Sequence, residues 1–332
     1  MRVILYLFLI GLLFTVDSCK KETYTDEEQK DRQKVIDDYN NYIFKNNVFG
    51  FYAANEDQLV NCNYGFVSPE VLSKTMAQLN YYRRFVGLSE VTMDTVFNNQ
   101  CQAVLKYFIS NKFPTTLDSN ASCYNKEVRD GWLTMLSGSS FYTNQQSAVS
   151  YFMHHKDAYA TYRRWLMYPK LSKVGYGQLN THFALKAVGS GTFSNDQKVP
   201  EYVAYPPKGF IVQDMLPATW SFVVPGNADV DVRYSEVTLR MRDYYSKPKI
   251  RTKELPMVEI AIKVDNRGWF TQGQSGTLGE DPSILFNITD TREMDEYYED
   301  KDLEYEVSIK NVLINGVSKD FNYPVRVIRS MH

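Results

Sequence analysis

Four histidines and four cysteines are the scarce reactive side chains here, and their spacing limits the chemistry they could support. Cys19, Cys62, Cys101 and Cys123 lie far apart, so no CxxC pair can build a structural zinc site. His154 and His155 are adjacent. On a helix their side chains diverge by about 100° and cannot both face one ion, which reads as a solvated or half-buried pair. Ser137-Gly138-Ser139-Ser140 could supply a hydrolase nucleophile at Ser139 or Ser140, yet the sequence places no histidine beside it. Asp229-x-Asp231 lacks the glycine and distal glutamate of an EF-hand loop and reads as a turn. Gly175-x-Gly177 and Gly189-x-Gly191 read as turn glycines without a phosphate-loop context. The acid run from Glu293 to Asp302, with Tyr297-Tyr298, reads as a solvated loop, weak calcium binding being the alternative. From these patterns no catalytic residue, metal or cofactor is assigned.

The elements that must position such residues belong to a globular chain: 332 residues, 44% hydrophobic and 23% charged. At roughly 150 residues per domain, two domains are expected, each able to bury its own core. A formal net charge of −2 gives no basic field for a nucleic-acid backbone, so no nucleic-acid partner is expected. Aromatic residues are plentiful, with 25 Tyr and 19 Phe, and serve cores and binding faces alike.

Met1-Arg2 followed by an apolar run from Val3 to Val16 reads as a secretory signal, too short to cross a membrane, which takes about 20 residues. Val16-Asp17-Ser18-Cys19 resembles the lipobox of bacterial lipoproteins, with Asp17 departing from the usual small apolar residue. The resemblance implies a signal peptide over 1–18, lipidation of Cys19, and a place in the bacterial cell envelope, periplasmic or at the cell surface. Over 19–55 the polar stretch after Cys19 reads first as a tether. A short amphipathic helix follows, with Val35, Tyr39 and Ile43 at i, i+4 spacing, expected to hold the folded part off the bilayer.

Beyond it the pattern is helical. Ser68-Pro69-Glu70 is a helix start, with an N-cap serine, proline at the first helical position and an acid in the first turn; Gly87 ends the run. Asp94 starts a second helix, and others are expected over about 145–155 and 158–167, the last stopped by Pro169. After Pro200 short alternating runs take over: Val237 to Met241, Met257 to Val264, Ser283 to Ile288, Leu303 to Ile309 and Tyr323 to Ile328. Asn315-Gly316 is a hairpin signal. Their spacing predicts an antiparallel β-sandwich of Ig-like type over 200–332.

Two stretches carry a family resemblance. Leu79-Asn80-Tyr81-Tyr82-Arg83-Arg84-Phe85-Val86-Gly87-Leu88, with Val91-Thr92-Met93-Asp94 after it, resembles the opening of a CAP domain, the superfamily of cysteine-rich secretory, antigen five and pathogenesis-related proteins. Tyr162-Arg163-Arg164-Trp165-Leu166-Met167-Tyr168-Pro169, then Val174-Gly175-Tyr176-Gly177, is similar to a bacterial branch reading His-Arg-Arg-Trp-Leu-Leu-x-Pro…Gly-x-Gly. The resemblance spans about Cys62 to Val188 and implies a CAP-like domain over 56–199. The expected fold class is α+β: an α-β-α sandwich followed by an antiparallel β-sandwich.

The family's cleft carries two histidines and two acids able to hold a divalent metal. Aligned with those motifs, Phe113 and Tyr162 stand in the histidine positions. Ser137 to Tyr142 replaces an acidic segment, and the second acid falls near His154 or His155. Phe cannot ligate, and a phenol with a pKa near 10 is a poor substitute. The metal site reads as dismantled, leaving an aromatic cleft with Phe113, Phe141, Tyr142, His154, His155, Tyr162, Arg163 and Arg164 as candidate lining. Arg163 and Arg164 either satisfy ion pairs around a core or grip an anionic ligand.

The loop contexts of Cys62 and Cys123, and cysteines in similar places in related bacterial sequences, imply one disulfide between them. Such a bridge contributes roughly 3–5 kcal/mol in the chain-entropy account. Cys101 on a helix's apolar face is expected as a buried free thiol. The favoured function is an anchored, non-enzymatic binding module for a glycan, peptide or lipid. The alternatives are a hydrolase using Ser139 or Ser140 or a metal on His154 or His155, and an adhesion protein acting through sandwich edges.

Overall fold

Thr25 opens the first helix with a capping box: its hydroxyl accepts from Glu28 N while the Glu28 carboxylate accepts from Thr25 N. In the computed structural model, residues 24–46, 61–139, 147–155, 160–179, 181–225, 229–245, 255–265, 282–293, 298–329 and 331 are described. Helix α1 (Asp26–Asp38) runs into a π-helical turn over Tyr39–Phe44, closed by Lys45 N donating to Asn40 O. The wider turn suits a spacing of four residues, and Tyr39 and Ile43 are both buried.

Arg32 holds Asp302 through two bonds of 2.7 and 3.1 Å, Tyr24 packs edge-on against Phe210, and Arg326 pairs with Glu28, all on the C-terminal half. The π-turn packs on the N-terminal half instead, where Gln78 Nε2 donates to Ile43 O. From Tyr24 to Asn46 the chain therefore straps the two halves together. The expected amphipathic helix is present, and burial of Ile36, Tyr39 and Ile43 makes its docking favourable; the stretch read as a tether lies mostly outside the described residues.

Helix α2 (Pro69–Phe85) starts on Ser68, whose side chain accepts from Val71 N, and ends before Gly87 at φ +80°. A short strand β1 (Thr92–Met93) precedes α3 (Thr95–Ser110), capped by the Asp94 carboxylate. There follow α4 (Lys126–Gly131), β2 (Met135–Ser139), α5 (Ala148–His154), α6 (Thr161–Leu166), β3 (Lys173–Leu179) and β4 (His182–Lys186). The sheet order is β1-β3-β4-β2, antiparallel except for the β1–β3 pair.

Helix α3 covers one face of this sheet and α2, α5 and α6 the other, which is the expected α-β-α layering. Gly175 and Gly177 are strand residues, not turn residues. A Cβ would come within 2.4 Å of Phe97 at the first and 2.7 Å of Cys101 at the second, so α3 lies flush on β3. Gly189 (φ +101°) and Gly191 (φ +82°) do occupy turns.

Strands β5 (Val203–Tyr205), β7 (Thr219–Val223), β11 (Ile262–Asp265) and β12 (Ser283–Ile288) form a four-stranded sheet in the order β11-β12-β7-β5. Facing it is a second sheet, β10 (Met257–Glu259), β9 (Glu236–Arg242), β13 (Leu303–Ile314), β14 (Val317–Ile328) and β6 (Gly209–Val212), with β8 (Val230–Asp231) on β13. Trp220 against Tyr305 (5.4 Å between ring centroids) and Phe222 against Phe321 (5.0 Å) close the space between them. The sandwich is antiparallel save for β6, which runs parallel to β14.

Asn315 and Gly316 both have positive φ and join Ile314 to Val317 in a two-residue hairpin. The expected single strand from Met257 to Val264 is instead two: the chain leaves one sheet after Glu259 and enters the other at Ile262, as corners of packed sheets do. The acid run is likewise not wholly solvated. Tyr298 and Asp302 are buried, Asp302 beneath Arg32. Asp231 accepts from Arg233, holding a turn.

Candidate functional site

Helix α6 decides what the Arg-Arg-Trp motif can do, because successive side chains step about 100° around its axis. Tyr162 turns toward α5. Its ring lies 4.8 Å from His155 and 5.2 Å from Phe152, and its hydroxyl donates to Ser137 O at 3.5 Å. Tyr151 adds a third ring 5.2 Å from His155. Tyr151, His155 and Tyr162 are each half-buried, so together they present aromatic surface with polar tips.

Arg163 points elsewhere and is buried. Nη1 donates to Met153 O (3.2 Å), Nη2 to Thr219 O on β7 (2.6 Å), and the guanidinium lies over the Tyr205 ring at 5.3 Å. It ties α5 to the β-sandwich rather than lining a cleft with Tyr162. Arg164 borders a slot between α6 and the β5–β7 pair, which Arg163 also lines. Helix phase therefore separates Tyr162 from the two arginines that follow it.

Phe113 is also separated from Tyr162. On β4, Phe183 packs against Tyr151 and Phe152 of α5, while Ala184 packs with Cys101 and Leu105 of α3. Alternation puts His182 on the α3 side with Ala184. Phe113 follows α3 and joins it there, 4.8 Å from the His182 ring and stacked beyond Phe108. The sheet stands between Phe113 and Tyr162, so the two do not line one cleft. Phe141, Tyr142, Ser140 and Cys19 lie outside the described residues. Among the described residues no three His, Cys, Asp or Glu side chains gather closely enough to hold a metal ion.

His154 and His155 diverge, as the helical step requires. His154 is held inside by Ser150: its Nδ1 donates to Ser150 O at 2.9 Å, which leaves Nε2 bare in the neutral ring. Burial lowers its pKa, against smaller opposing contributions from the Met215 and Ser150 backbone. The folded state therefore binds this proton less well than the unfolded chain. The stabilising neutrality is intact above the unfolded pKa of about 6.5 and lost as pH falls below it. Urea midpoints at pH 7.5 and 5.5 should show lower stability at the lower pH, a dependence that His154→Leu reduces.

The sequence did not single out Arg83, whose role is structural and central. Fully buried, it donates from Nε to Ser89 O (2.8 Å), from Nη1 to Leu166 O (2.6 Å) and Tyr168 O (3.1 Å), and from Nη2 to Leu171 O (3.1 Å). Burial pulls its pKa down to about 9, so it remains charged at neutral pH. Asn80, three residues earlier, pairs with both backbone groups of Val91. The two stretches that carried the family resemblance thus meet physically through Arg83. The signal was present in Leu79 to Leu88, but nothing in it distinguishes the buried Arg83 from the half-exposed Arg84.

The remaining cysteines fall as expected. Cys62 and Cys123 are bonded with a Cα–Cα distance of 5.0 Å, and Cys101 is a buried free thiol. Burial pushes the Cys101 thiol up to about 12, so it is not a nucleophile at neutral pH.

Residues 76–181 match the family model described as CAP, cysteine-rich secretory protein family. No curated protein matches the chain. Among solved structures, PcoC, a methionine-rich copper resistance protein from Escherichia coli, is 16% identical with a TM-score of 0.23, covering 39% of this chain and 99% of its own. The selenomethionine form of PcoC gives the same identity and TM-score and covers 98% of its own chain. The matched residues run from α2 to just past β3 and take in Arg83, Phe113 and Tyr162, so this part of the chain is similar to the CAP family.

Proposed function

We propose that this protein is exported, anchored to the bacterial cell envelope by lipid on Cys19, and acts as a non-catalytic binding module whose CAP domain takes a glycan. The carrying observation is the cluster of Tyr151, His155 and Tyr162 at the end of α5 and start of α6. Ring faces with hydroxyl and imidazole tips suit a sugar, which offers apolar C–H faces and hydroxyl edges. The placement of Tyr162 where the family carries a histidine supports a change from ion binding to contact through rings. The Cys62–Cys123 bridge supports export, since such bonds persist in oxidising compartments.

Glycan, peptide and lipid-vesicle panels should yield a glycan whose affinity falls about tenfold in Tyr162→Ala, as loss of one stacked ring implies. Binding confined to peptides or vesicles, or glycan binding untouched by Tyr162→Ala, would reject this assignment. The anchor is tested separately. Cys19→Ser should move the protein from the membrane pellet to the soluble fraction, because each buried methylene contributes about 0.8 kcal/mol and none would remain.

A further inference from the structure

Strand β2 ends the sheet order β1-β3-β4-β2, and two of its consecutive residues meet the ring cluster. Tyr162 donates its hydroxyl to Ser137 O, and the Tyr151 ring lies over Gly138. Gly138 is paired with Phe183 of β4, so the two share the face turned toward α5. A Cβ at position 138 would stand 2.5 Å from Tyr151 Cε1 and 2.7 Å from Phe183 Cε2. Carbon atoms in contact sit about 3.5–4.0 Å apart, so no side chain fits with both rings in place.

The backbone itself does not require glycine here. Gly138 lies within β2 and outside the left-handed region. Inside a strand glycine is less favourable than alanine, and it marks the close approach of another group. Its contribution at this position is clearance for the rings.

The two rings differ in freedom. Phe183 is buried, with Phe152 at 5.4 Å and Tyr151 at 5.2 Å, both edge to face. Tyr151 is half-buried, its ring 5.2 Å from that of His155. A methyl group at position 138 would therefore displace Tyr151, the ring with solvent on one side.

We infer that Gly138 is the positioning residue of the ring cluster: it leaves room on β2 for Tyr151 to seat against the sheet, where that ring, His155 and Tyr162 form one contact face. Gly138 acts through Tyr151 and touches no ligand. Its bearing on binding rests on the glycan reading above, whereas the seating of the ring does not.

The test is a double-mutant cycle in the full chain, with Gly138→Ala, Tyr151→Ala and both together. The Hε1 resonance of His155, assigned by its loss in His155→Gln, reports the place of the Tyr151 ring without any ligand. Gly138→Ala should shift it by more than its linewidth, and should add no shift in the Tyr151→Ala background. On the glycan panel Gly138→Ala should weaken binding about tenfold, as loss of one stacked ring implies, and cost nothing further once Tyr151 is gone. Gly177→Ala is the control for general loosening, because its Cβ would press on Cys101 on the far side of the sheet. It should lower the melting temperature and leave the His155 resonance in place.

The inference is overturned if folded Gly138→Ala leaves the His155 resonance unmoved, if its shift persists without Tyr151, or if Gly177→Ala shifts it equally. Should Gly138→Ala not fold, recovery of folding on adding Tyr151→Ala identifies the same contact, and no recovery overturns it. A panel silent with the wild-type chain would reject the glycan reading alone, since the resonance decides the seating independently.

Discussion

Arg83→Ala is expected to lower stability by about 4 kcal/mol, the scale set by breaking a buried charged network. Four carbonyl oxygens lose their donor at once: Ser89, Leu166, Tyr168 and Leu171. Water cannot replace it readily, because the side chain is fully buried. The carbonyls lie in the loop after α2, at the end of α6 and just before β3, so one guanidinium fixes the relation of three segments.

Arg84 is the internal control. It is partly exposed, pairs with Glu90 and lies over the Tyr42 ring at 4.9 Å. Its removal should cost less than about 1 kcal/mol, as exposed ion pairs do. Arg83→Lys should recover part of the loss, since an ammonium reaches some of the carbonyls but lacks the planar fork. Urea unfolding of the three variants checks this, and equal effects at positions 83 and 84 would refute it.

What could be read beforehand follows from the range of the forces involved. Ser68-Pro69, Asp94 and Asn315-Gly316 act through their own backbone neighbours, and each produced the element expected of it. Strand β7 escaped notice because both its faces are covered. Trp220 and Phe222 point into the sandwich and Ser221 and Val223 toward α6, so no polar alternation marks it. The Met257 to Val264 run reads as continuous because a change of sheet at Ile260-Ala261 leaves its apolar pattern intact.

The candidate cleft failed for a different reason. The motif order in sequence is preserved, but helix phase on α6 and strand alternation on β4 part Tyr162 from Phe113, and both from the slot lined by Arg163 and Arg164. Among the described residues of the expected lining, Tyr162 and His155 meet ring to ring. Side-chain direction is a property of the packed element, and family position alone does not supply it.

The second large effect belongs to the Cys62–Cys123 bond, whose loss in a Cys62→Ser, Cys123→Ser double variant should cost about 3 kcal/mol. The cysteines are 61 residues apart, and closing a loop of that length removes about 4 kcal/mol of chain entropy from the unfolded state. Both cysteines hold left-handed backbone, φ +59° and +61°, which an L residue adopts at a cost of roughly 1–2 kcal/mol. Relaxation of those turns after the bond is removed returns part of the loss, which places the net below the full entropic figure.

The loop encloses α2 and α3, the helices on opposite faces of the β1-β3-β4-β2 sheet, so the destabilisation should centre on that half of the chain. Urea unfolding gives the magnitude. Hydrogen exchange gives the place, with faster exchange expected in residues 61–68 and 118–125 than in the β13–β14 hairpin. Uniform acceleration across both domains would mean that the α1 strap, with Arg32 on Asp302 and the π-turn on α2, couples them into one cooperative unit. The bridge would then stabilise the whole chain through the contacts of that helix.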